Sequence, residues 1–342
     1  MSLDKRPTSA IIANSKNIRA VLDCHPFFDA AKDLSPNPNG GSFYIVSYLR
    51  DDESKTCFTV MFHLMLIVQA LGTPLVQLAV SVFNEKTNYY FSKESNQFWL
   101  DKASVSHQGL DIGTPEGHLS GTIDKLVVAA NISKGSKQFE MELTMEPQGP
   151  VLPDLLTGVI PFSDGVNYEY ALPRMKTSGA MTVDGNRYTV TGWSWLDREW
   201  GLLGPSKWTW MNIQLENDVQ MSIWDEQTDD KKPNSYVGGP RRFATILNPS
   251  GDLKVAPVVI EELGFWKSRN TKRAYARKWR VTIEDRAAKL DVELLYDKQE
   301  IVSEIGAHRL EGKARVSGTY GNQPIKGITM VELFDLFPLF GK

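Results

Sequence analysis

The sequence is poor in cysteine and in net charge. Only two of its 342 residues are cysteines, Cys24 and Cys57, so a disulfide framework is excluded and a single bridge is the most that can form. Lysine and arginine total 38 against 41 acidic residues, which gives a formal net charge of −3. Such a chain offers no bulk electrostatic attraction for nucleic acid or for an anionic membrane surface. We therefore expect a globular protein with reduced thiols and no nucleic-acid partner.

Long apolar runs are also missing. The longest, from Met61 to Leu71, is interrupted by His63 and Gln69 and is too short to cross a bilayer. The residues after Met1 contain no apolar stretch as long as that of a secretory signal peptide. The sequence thus predicts no integral membrane segment and a cytoplasmic location.

Several common catalytic motifs are absent. The chain has no Gly-x-Ser-x-Gly elbow, no phosphate-binding loop and no dinucleotide-binding fingerprint. Its five histidines are scattered without the spacing of zinc ligands. They are His25, His63, His107, His118 and His308. We therefore expect neither a metal nor a cofactor.

What the sequence does contain is a regular series of short strands. Runs of β-forming residues such as 42–49, 56–68 and 75–83 are separated by polar turns, and helical periodicity is scarce. Strands that recur about every 8–12 residues are typical of up-and-down antiparallel barrels or sandwiches. The length favours two domains, and the composition changes at Gly204-Pro205. We predict an N-terminal extension over 1–40 and β-domains over 41–204 and 205–342.

The densest cluster of aromatic and acidic residues is the segment 192–201, Gly-Trp-Ser-Trp-Leu-Asp-Arg-Glu-Trp-Gly, which follows a predicted hairpin turn at Asp184-Gly185. Because side chains alternate along a strand, the segment divides into two faces. One face carries Trp193, Trp195, Asp197 and Glu199, and the other carries Ser194, Leu196, Arg198 and Trp200. An acid beside aromatic surface loses hydration, which raises its pKa and keeps it protonated. The first face therefore indicates an apolar pocket with a proton donor.

The same cluster also has a structural interpretation. Large aromatic residues are more often core residues than pocket walls, and acids are also perturbed in purely structural networks. Glu199 is either a second acid or base or the salt-bridge partner of Arg198. His63 lies in an apolar strand, where a histidine is more often a satisfied core residue than a catalyst. We keep His63 as a candidate pocket residue.

Two parts of the chain share a spacing of glycines and acids. Gly192 precedes Asp197 by five residues, and Gly327 precedes Glu332 by five. Each pair follows a Ser-Gly dipeptide and a turn glycine. This repeat predicts two similar barrel-like halves, each closed by such a hairpin.

Several segments together resemble the lipocalin-like AttH and carotenoid 1,2-hydratase (hydroxyneurosporene synthase) superfamily. The resemblance is carried by Tyr-Glu-Tyr-Ala-Leu-Pro-Arg at 168–174, Ser178-Gly179, Val183-Asp184-Gly185, the segment 192–201, the C-terminal segments 311–318 and 327–333, and Phe-Thr-Val-Met-Phe-His at 58–63. It implies an all-β protein of two tandem lipocalin-like antiparallel β-barrels. Relatives in this superfamily include hydratases of isoprenoid double bonds, flavonoid hydratases and fungal cyclases.

The resemblance also implies site residues. The family's catalytic aspartate corresponds to Asp197, and Trp195 stands where the carotenoid hydratases carry a tyrosine. Their upstream His and Trp region falls near Tyr168 and Tyr170. These departures favour another substrate than a carotenoid. We predict Asp197, Glu199 and Tyr168 as catalytic residues, and a substrate pocket formed by Trp193, Trp195, Tyr170, Arg174, Arg198, Trp200 and His63.

These residues predict a cofactor-independent enzyme that acts on carbon–carbon double bonds of a small hydrophobic substrate of isoprenoid or polyketide type. Acid catalysis would lead to hydration, isomerisation or cyclisation. One alternative is a cyclase that works by preorganising its substrate. The other is a non-catalytic carrier of an apolar ligand. The sequence indicates no particular oligomeric state.

Overall fold

The structure is a computed structural model that describes residues 40–68, 74–98, 100–106, 109–122, 124–163, 165–202, 204–227 and 240–337. Within these ranges the regular elements are β-strands and two 3₁₀ helices, Asp154–Leu156 and Glu284–Arg286. The predicted extension up to residue 39, with Cys24, His25 and also His107, lies outside the described residues. The described helices include none long and apolar enough to cross a membrane.

Thirteen strands form a first antiparallel sheet. They are β1 (Gly40–Asp51), β2 (Cys57–Val68), β3 (Pro74–Asn84), β4 (Tyr89–Gln97), β5 (Lys102–Ser106), β6 (Gly109–Thr114), β7 (Gly117–Thr122), β8 (Lys125–Lys134), β9 (Lys137–Pro147), β10 (Leu152–Pro153), β11 (Val159–Phe162), β12 (Gly165–Val183) and β13 (Asn186–Gly201). Their order is β4-β3-β2-β1-β13-β12-β9-β8-β7-β6-β5, with β10 and β11 paired to β12.

Ten strands form a second antiparallel sheet. They are β14 (Lys207–Leu215), β15 (Gln220–Gln227), β16 (Arg242–Leu247), β17 (Leu253–Pro257), β18 (Val259–Glu262), β21 (Lys278–Ile283), β22 (Ala288–Leu294), β23 (Glu300–Ile301), β24 (Arg309–Tyr320) and β25 (Gln323–Asp335). The order is β17-β16-β15-β14-β25-β24-β22-β21-β18, with β23 paired to β24. Strands β19 (Phe265–Lys267) and β20 (Ala274–Ala276) form a separate small sheet.

The first sheet thus ends at Gly201 and the second begins at Lys207. The predicted division after residue 204 falls in the segment between them and stays a prediction.

Two long hairpins hold corresponding places in the two sheets. The turn between β12 and β13 is Asp184-Gly185, and the turn between β24 and β25 is Gly321-Asn322. Both residues of each turn have positive φ, as type I′ hairpins require. Each hairpin also pairs with a further strand, β13 with β1 and β25 with β14. The repeat in the sequence is therefore a repeat of hairpins.

The glycines of the repeat lie where two strands approach closely. Gly192 pairs with Leu49 of β1, and Gly327 pairs with Leu215 of β14. A Cβ atom at either glycine would collide with a backbone carbonyl oxygen, that of Tyr48 or that of Gln214. Each of these positions therefore requires a residue without a side chain.

Strand β1 shows how the two sheets meet, because both of its faces are buried. Phe43 and Ile45 point into the core of the first sheet. Tyr44, Val46 and Tyr48 alternate with them and pack in a cluster with side chains of the second sheet. The outer face of the first sheet is thus covered by the second, and an interface core lies between them.

Candidate active site

Aromatic side chains dominate the core between the two sheets. Trp210 on β14 contacts Tyr44 edge to face, with ring centroids 5.3 Å apart, and contacts Trp195 of β13 at 6.3 Å. Trp208 packs against Phe334 at 4.9 Å. These rings bring the ends of β1 and β13 against β14 and β25.

A cavity of about 30 Å³ lies in this interface. Its lining comprises Gly40, Gly41, Ser42, Tyr44, His63, Met65, Asn167, Glu169, Asp197, Glu199, Trp200, Trp208, Trp210, Trp224 and Glu332. The volume is sufficient for a water molecule. Indole rings and carboxyl groups therefore surround a small polar space, and residues of both sheets contribute to it.

Asp197 points into this cavity from β13 and is 5% exposed. One of its carboxylate oxygens accepts a hydrogen bond from Nε1 of Trp195 at 2.6 Å. Burial raises the pKa of Asp197 well above its ordinary value. The hydrogen bond from Trp195 opposes this rise, and the nearby carboxyl groups of Asp154 and Glu199 add to it. The protonated carboxyl is therefore favoured over the carboxylate.

Glu199 and Glu169 form a pair of acids at the same cavity. They face each other across β12 and β13. Glu199 accepts a hydrogen bond from the side-chain amide of Asn167, and burial raises its pKa to about 8. Burial also raises the pKa of Glu169 well above its ordinary value. Both carboxyl groups lose hydration and lie among other acids, which favours their protonated forms at neutral pH.

Asp154 connects these acids to the second sheet. It lies in the first 3₁₀ helix and accepts hydrogen bonds from Ser222 Oγ at 3.0 Å and from Trp224 Nε1 at 3.2 Å, both on β15. Burial raises its pKa to about 6, although these hydrogen bonds favour the carboxylate. The segment between β10 and β11 is thereby fixed to the opposite wall of the cavity.

The second sheet contributes its own pair of acids. Oε2 of Glu332 on β25 accepts a hydrogen bond from Trp208 Nε1 at 2.8 Å. Glu311, across from it on β24, accepts hydrogen bonds from the hydroxyl of Tyr44 at 2.7 Å and from Nε of Arg309 at 3.2 Å. Burial raises the pKa of both carboxyl groups. Tyr44 thus joins β1 to the acids of the second sheet.

His63 on β2 lies beside this pair. Its ring contacts Tyr44 edge to face at 5.1 Å, and neither ring nitrogen has a hydrogen-bond partner among the described residues. Burial lowers the pKa of His63 well below its ordinary value, and the charge of Arg309 lowers it further. A ring nitrogen of His63 and one carboxylate oxygen each of Glu311 and Glu332 lie within 4.8 Å of one another. The imidazole is therefore neutral and directed at two acids.

Imidazole and two carboxylates are also a donor set suited to a divalent cation. However, Arg309 already forms an ion pair with Glu311 and with Glu94, at 3.2 and 3.0 Å. Its charge opposes a second cation at the same place. The sequence predicts no metal, and we treat His63, Glu311 and Glu332 as hydrogen-bonding groups.

The structure brings several of the predicted site residues together. Asp197, Glu199, Trp200 and His63 all line the cavity. Trp195 lies behind Asp197, fully buried, and contacts it through the indole N–H.

Other predicted site residues lie elsewhere. Tyr168 and Tyr170 pair with Trp200 and Arg198, so they share the face of β12 and β13 opposite to Asp197, and they pack on Trp200. Arg198 is buried on that same face, with its guanidinium 4.4 Å from the ring centre of Phe43. Because side chains alternate along a strand, Tyr168, Tyr170 and Arg198 point away from the face that carries Asp197.

Trp193 and Arg174 are also separated from the acid. Trp193 is 37% exposed, four residues before Asp197 and about 13 Å along the strand. The guanidinium of Arg174 stacks on it at 4.5 Å and forms an ion pair with Asp218 at 2.6 Å. Trp193 shares a face with Asp197 but lies near the solvent end of the interface, in a groove with Gln214 and other residues of the second sheet.

Only four of the fifteen lining residues, His63, Asp197, Glu199 and Trp200, were predicted from the sequence as site residues. The aromatic and polar side chains that were missed include Tyr44, Asn167, Glu169, Trp208, Trp210 and Trp224, with Asp154 and Glu311 behind them. For Glu332 the sequence did contain a signal, because the glycine repeat places it at the position that corresponds to Asp197 in the first half. Asn167 and Glu169 reach the cavity through the pairing of β12 with β13. The tryptophans of the second sheet meet Asp197 only when the two sheets pack together.

Comparison with known proteins agrees with this architecture. Kievitone hydratase of Fusarium solani subsp. phaseoli is 24% identical over 315 residues, which cover 86% of this chain and 82% of that protein. Dehydratase asqC of Emericella nidulans is 23% identical over 259 residues, 72% of each chain. The crystal structure of kievitone hydratase from Nectria haematococca superposes with a TM-score of 0.74 at 21% identity, over 91% of this chain and 93% of that one.

The likeness in structure confirms the predicted fold class, two tandem lipocalin-like antiparallel β-barrels. The family model described as AttH-like matches residues 73–335. That range includes the hairpins β12–β13 and β24–β25, which carry Asp197 and Glu332. The chain therefore belongs to the AttH-like family, as its resemblance in sequence predicted.

Proposed function

We propose that this protein is a cofactor-independent enzyme that adds water to a carbon–carbon double bond of a hydrophobic isoprenoid or polyketide-type metabolite, or removes water in the reverse direction. The observation that carries this proposal is the buried carboxyl group of Asp197 in a cavity with aromatic walls. A proton donor for an alkene must be neutral at working pH, and the burial of Asp197 favours that state.

The rest of the cavity suits the cation that such a protonation produces. In the first step Asp197 transfers its proton to one alkene carbon, and positive charge develops on the other. The rings of Trp208, Trp210 and Trp224 face the same space and stabilise a cation through their π-electrons. Water then adds to the cation. The cavity is small, so we expect interface side chains to move when the substrate enters.

The relatives support this reaction class. Kievitone hydratase and dehydratase asqC carry names for the addition and the removal of water, which are one reaction in two directions. They favour an enzyme of the hydratase or lyase type over a carrier. A carrier would also gain nothing from burying a carboxyl group such as Asp197, because that burial is costly and the hydrogen bond from Trp195 offsets only part of the cost.

Cyclisation by preorganisation is the second candidate. The indole rings around the cavity would fold a polyene, and orientation alone lowers the barrier of a ring closure. In that case substitutions of Trp208 or Trp210 would reduce turnover more than a substitution of Asp197.

Turnover of prenylated aromatic compounds, polyenes and their hydrated products by the wild type and by Asp197→Asn tests the proposal. Loss of a general acid is expected to reduce kcat by about 10²–10⁴-fold with substrate affinity retained. Asp225→Asn is a matched control, because Asp225 is also buried but pairs with Arg242 at 2.6 Å. Full turnover by Asp197→Asn would favour the cyclase, and binding without turnover in any variant would favour the carrier.

A further inference from the structure

We infer that Glu332 and His63 hold the water molecule of the proposed reaction, and that Glu332 accepts the proton which this water loses. Asp197 and Glu332 would then be the acid and the base of one site, each supplied by one sheet. The inference rests on the proposed function and adds the group that directs the nucleophile.

The first support is a set of buried polar atoms without partners. Oε1 of Glu332 and both ring nitrogens of His63 have no hydrogen-bond partner among the described residues. A buried polar atom left unpaired costs about 1–3 kcal/mol, so an ordered water between them is strongly favoured.

The second support is the spacing of the two side chains. One ring nitrogen of His63 and one carboxylate oxygen of Glu332 lie within 4.8 Å of each other. Two hydrogen bonds of about 2.8 Å that meet at a water oxygen span roughly 4.5 Å. The cavity of about 30 Å³ has room for that water.

The third support is the different environment of the two acids. Asp197 lies beside the carboxyl groups of Asp154 and Glu199, which favour its protonated form. Burial raises the pKa of Glu332 as well, but hydrogen bonds with Trp208 and Glu311 and the charge of Arg309 oppose that rise. Asp197 has the bond from Trp195 against its rise, whereas its acidic neighbours add to it. Glu332 is therefore the better candidate for the base and Asp197 for the acid.

The resulting sequence of steps is balanced. Asp197 gives its proton to one alkene carbon, and the π-electrons form the new C–H bond. The water oxygen bonds to the resulting carbocation while its proton passes to Oε1 of Glu332. The products are the alcohol, a protonated Glu332 and an ionised Asp197. A proton then returns from Glu332 to Asp197 through the next water molecule that enters the cavity.

The test measures hydration and deuterium exchange side by side in D₂O. In D₂O the carboxyl group of Asp197 carries deuterium and transfers it to the alkene. If no water is directed at the resulting cation, the cation loses a proton and re-forms an alkene that contains deuterium. For Glu332→Gln we expect hydration to fall at least 100-fold, while deuterium uptake into recovered substrate stays within about threefold of the wild type. Asp197→Asn should lose both reactions. The matched control is Glu300→Gln, a buried acid that accepts hydrogen bonds from Ser268 and Thr271.

Three results would overturn the inference: unchanged hydration in Glu332→Gln, an equal fall in hydration and exchange in that variant, or a crystal structure of the wild type with a metal ion or no water between His63 and Glu332. The expected result in the crystal is one water bonded to both. Failure of the proposed function differs from these outcomes, because the wild type would then show neither hydration nor exchange.

Discussion

Asp197 and Glu332 occupy corresponding positions in the two sheets and line the same cavity. Each follows by five residues a glycine packed against the neighbouring strand, and each accepts a hydrogen bond from a tryptophan indole, Trp195 at 2.6 Å and Trp208 at 2.8 Å. The two halves of the chain thus present equivalent acids to each other across their interface.

The pH dependence of activity follows from the protonation of Asp197. Since the protonated carboxyl is the proton donor, kcat/KM should fall as pH rises through the pKa of Asp197. With Glu332 as the base, kcat/KM should also fall at acid pH, where Glu332 becomes protonated. Burial raises this pKa, so we expect activity to persist at neutral pH. A pH–rate profile with the preferred substrate measures this, and activity confined to pH values below about 5 would contradict it, since that is where an ordinary aspartate is protonated.

The substitution Trp195→Phe should shift the pH–rate profile to higher pH. The indole N–H of Trp195 stabilises the ionised form of Asp197, so its loss raises the pKa of Asp197 further and shifts the fall in activity to higher pH. We also expect kcat to drop by about tenfold, since the bond that orients the acid, worth roughly 1.5 kcal/mol, is lost. Trp279→Phe, at a fully buried tryptophan in the core of the second sheet, is the control. A shift to lower pH would be inconsistent with the observed contact.

The stability of the protein should decrease as pH rises, in part because of Glu199. Burial raises its pKa from about 4.5 to about 8, so the folded state binds more protons than the unfolded state between these values. This stabilisation is complete below pH 4.5 and is lost as pH rises through about 8. Thermal unfolding of Glu199→Gln between pH 5 and 9 should therefore show a flatter dependence than the wild type.

The control for this experiment is Glu293→Gln. Glu293 has a lowered pKa because of its ion pair with Lys278, so its contribution is lost at acid pH and the variant should keep the slope at alkaline pH. Parallel curves for the wild type and Glu199→Gln would show that Glu199 titrates normally.

Arg309 should be important for the contact between the two sheets. Its buried guanidinium lies between Glu94 of β4 and Glu311 of β24. Arg309→Met leaves two buried carboxyl groups without their cation, which we expect to destabilise the fold by about 3–5 kcal/mol. Urea unfolding followed by tryptophan fluorescence measures this loss. Glu94→Gln in the same chain should restore part of it, whereas Arg315→Met, at an exposed ion pair with Glu293, should change little.

Gly192→Ala should weaken the pairing of β1 with β13. The added methyl group collides with the carbonyl oxygen of Tyr48, so we expect a loss of about 1–3 kcal/mol and a displaced Asp197. Gly149→Ala is the matched control, because no atom lies within 4 Å of its added Cβ. That variant should be neutral or slightly more stable. Equal stabilities for the two variants in urea unfolding would argue against the close approach of these strands.

Local signals in the sequence were sufficient to predict the strands and the two hairpins. Residues 42–49 and 75–83, predicted as strands from composition alone, lie in β1 and β3, and the predicted turn Asp184-Gly185 joins β12 to β13. Turn chemistry and alternation act over a few residues, so they are legible in one sequence. The same alternation correctly placed Trp195 and Asp197 on one face.

The neighbours of Asp197 were decided by tertiary structure. Tyr168 and Tyr170 are close to Asp197 in the sheet but point to its other face, and Trp193 lies too far along the strand. Tyr44 and His63 are paired on β1 and β2, and they meet Glu332 of β25 only because the outer face of one sheet packs on the other. The sequence by itself determined the strands, the family and the acid at position 197, since these depend on local pattern. The cavity, its second set of acids and their raised pKa values depend on burial between two sheets, which only long-range packing produces.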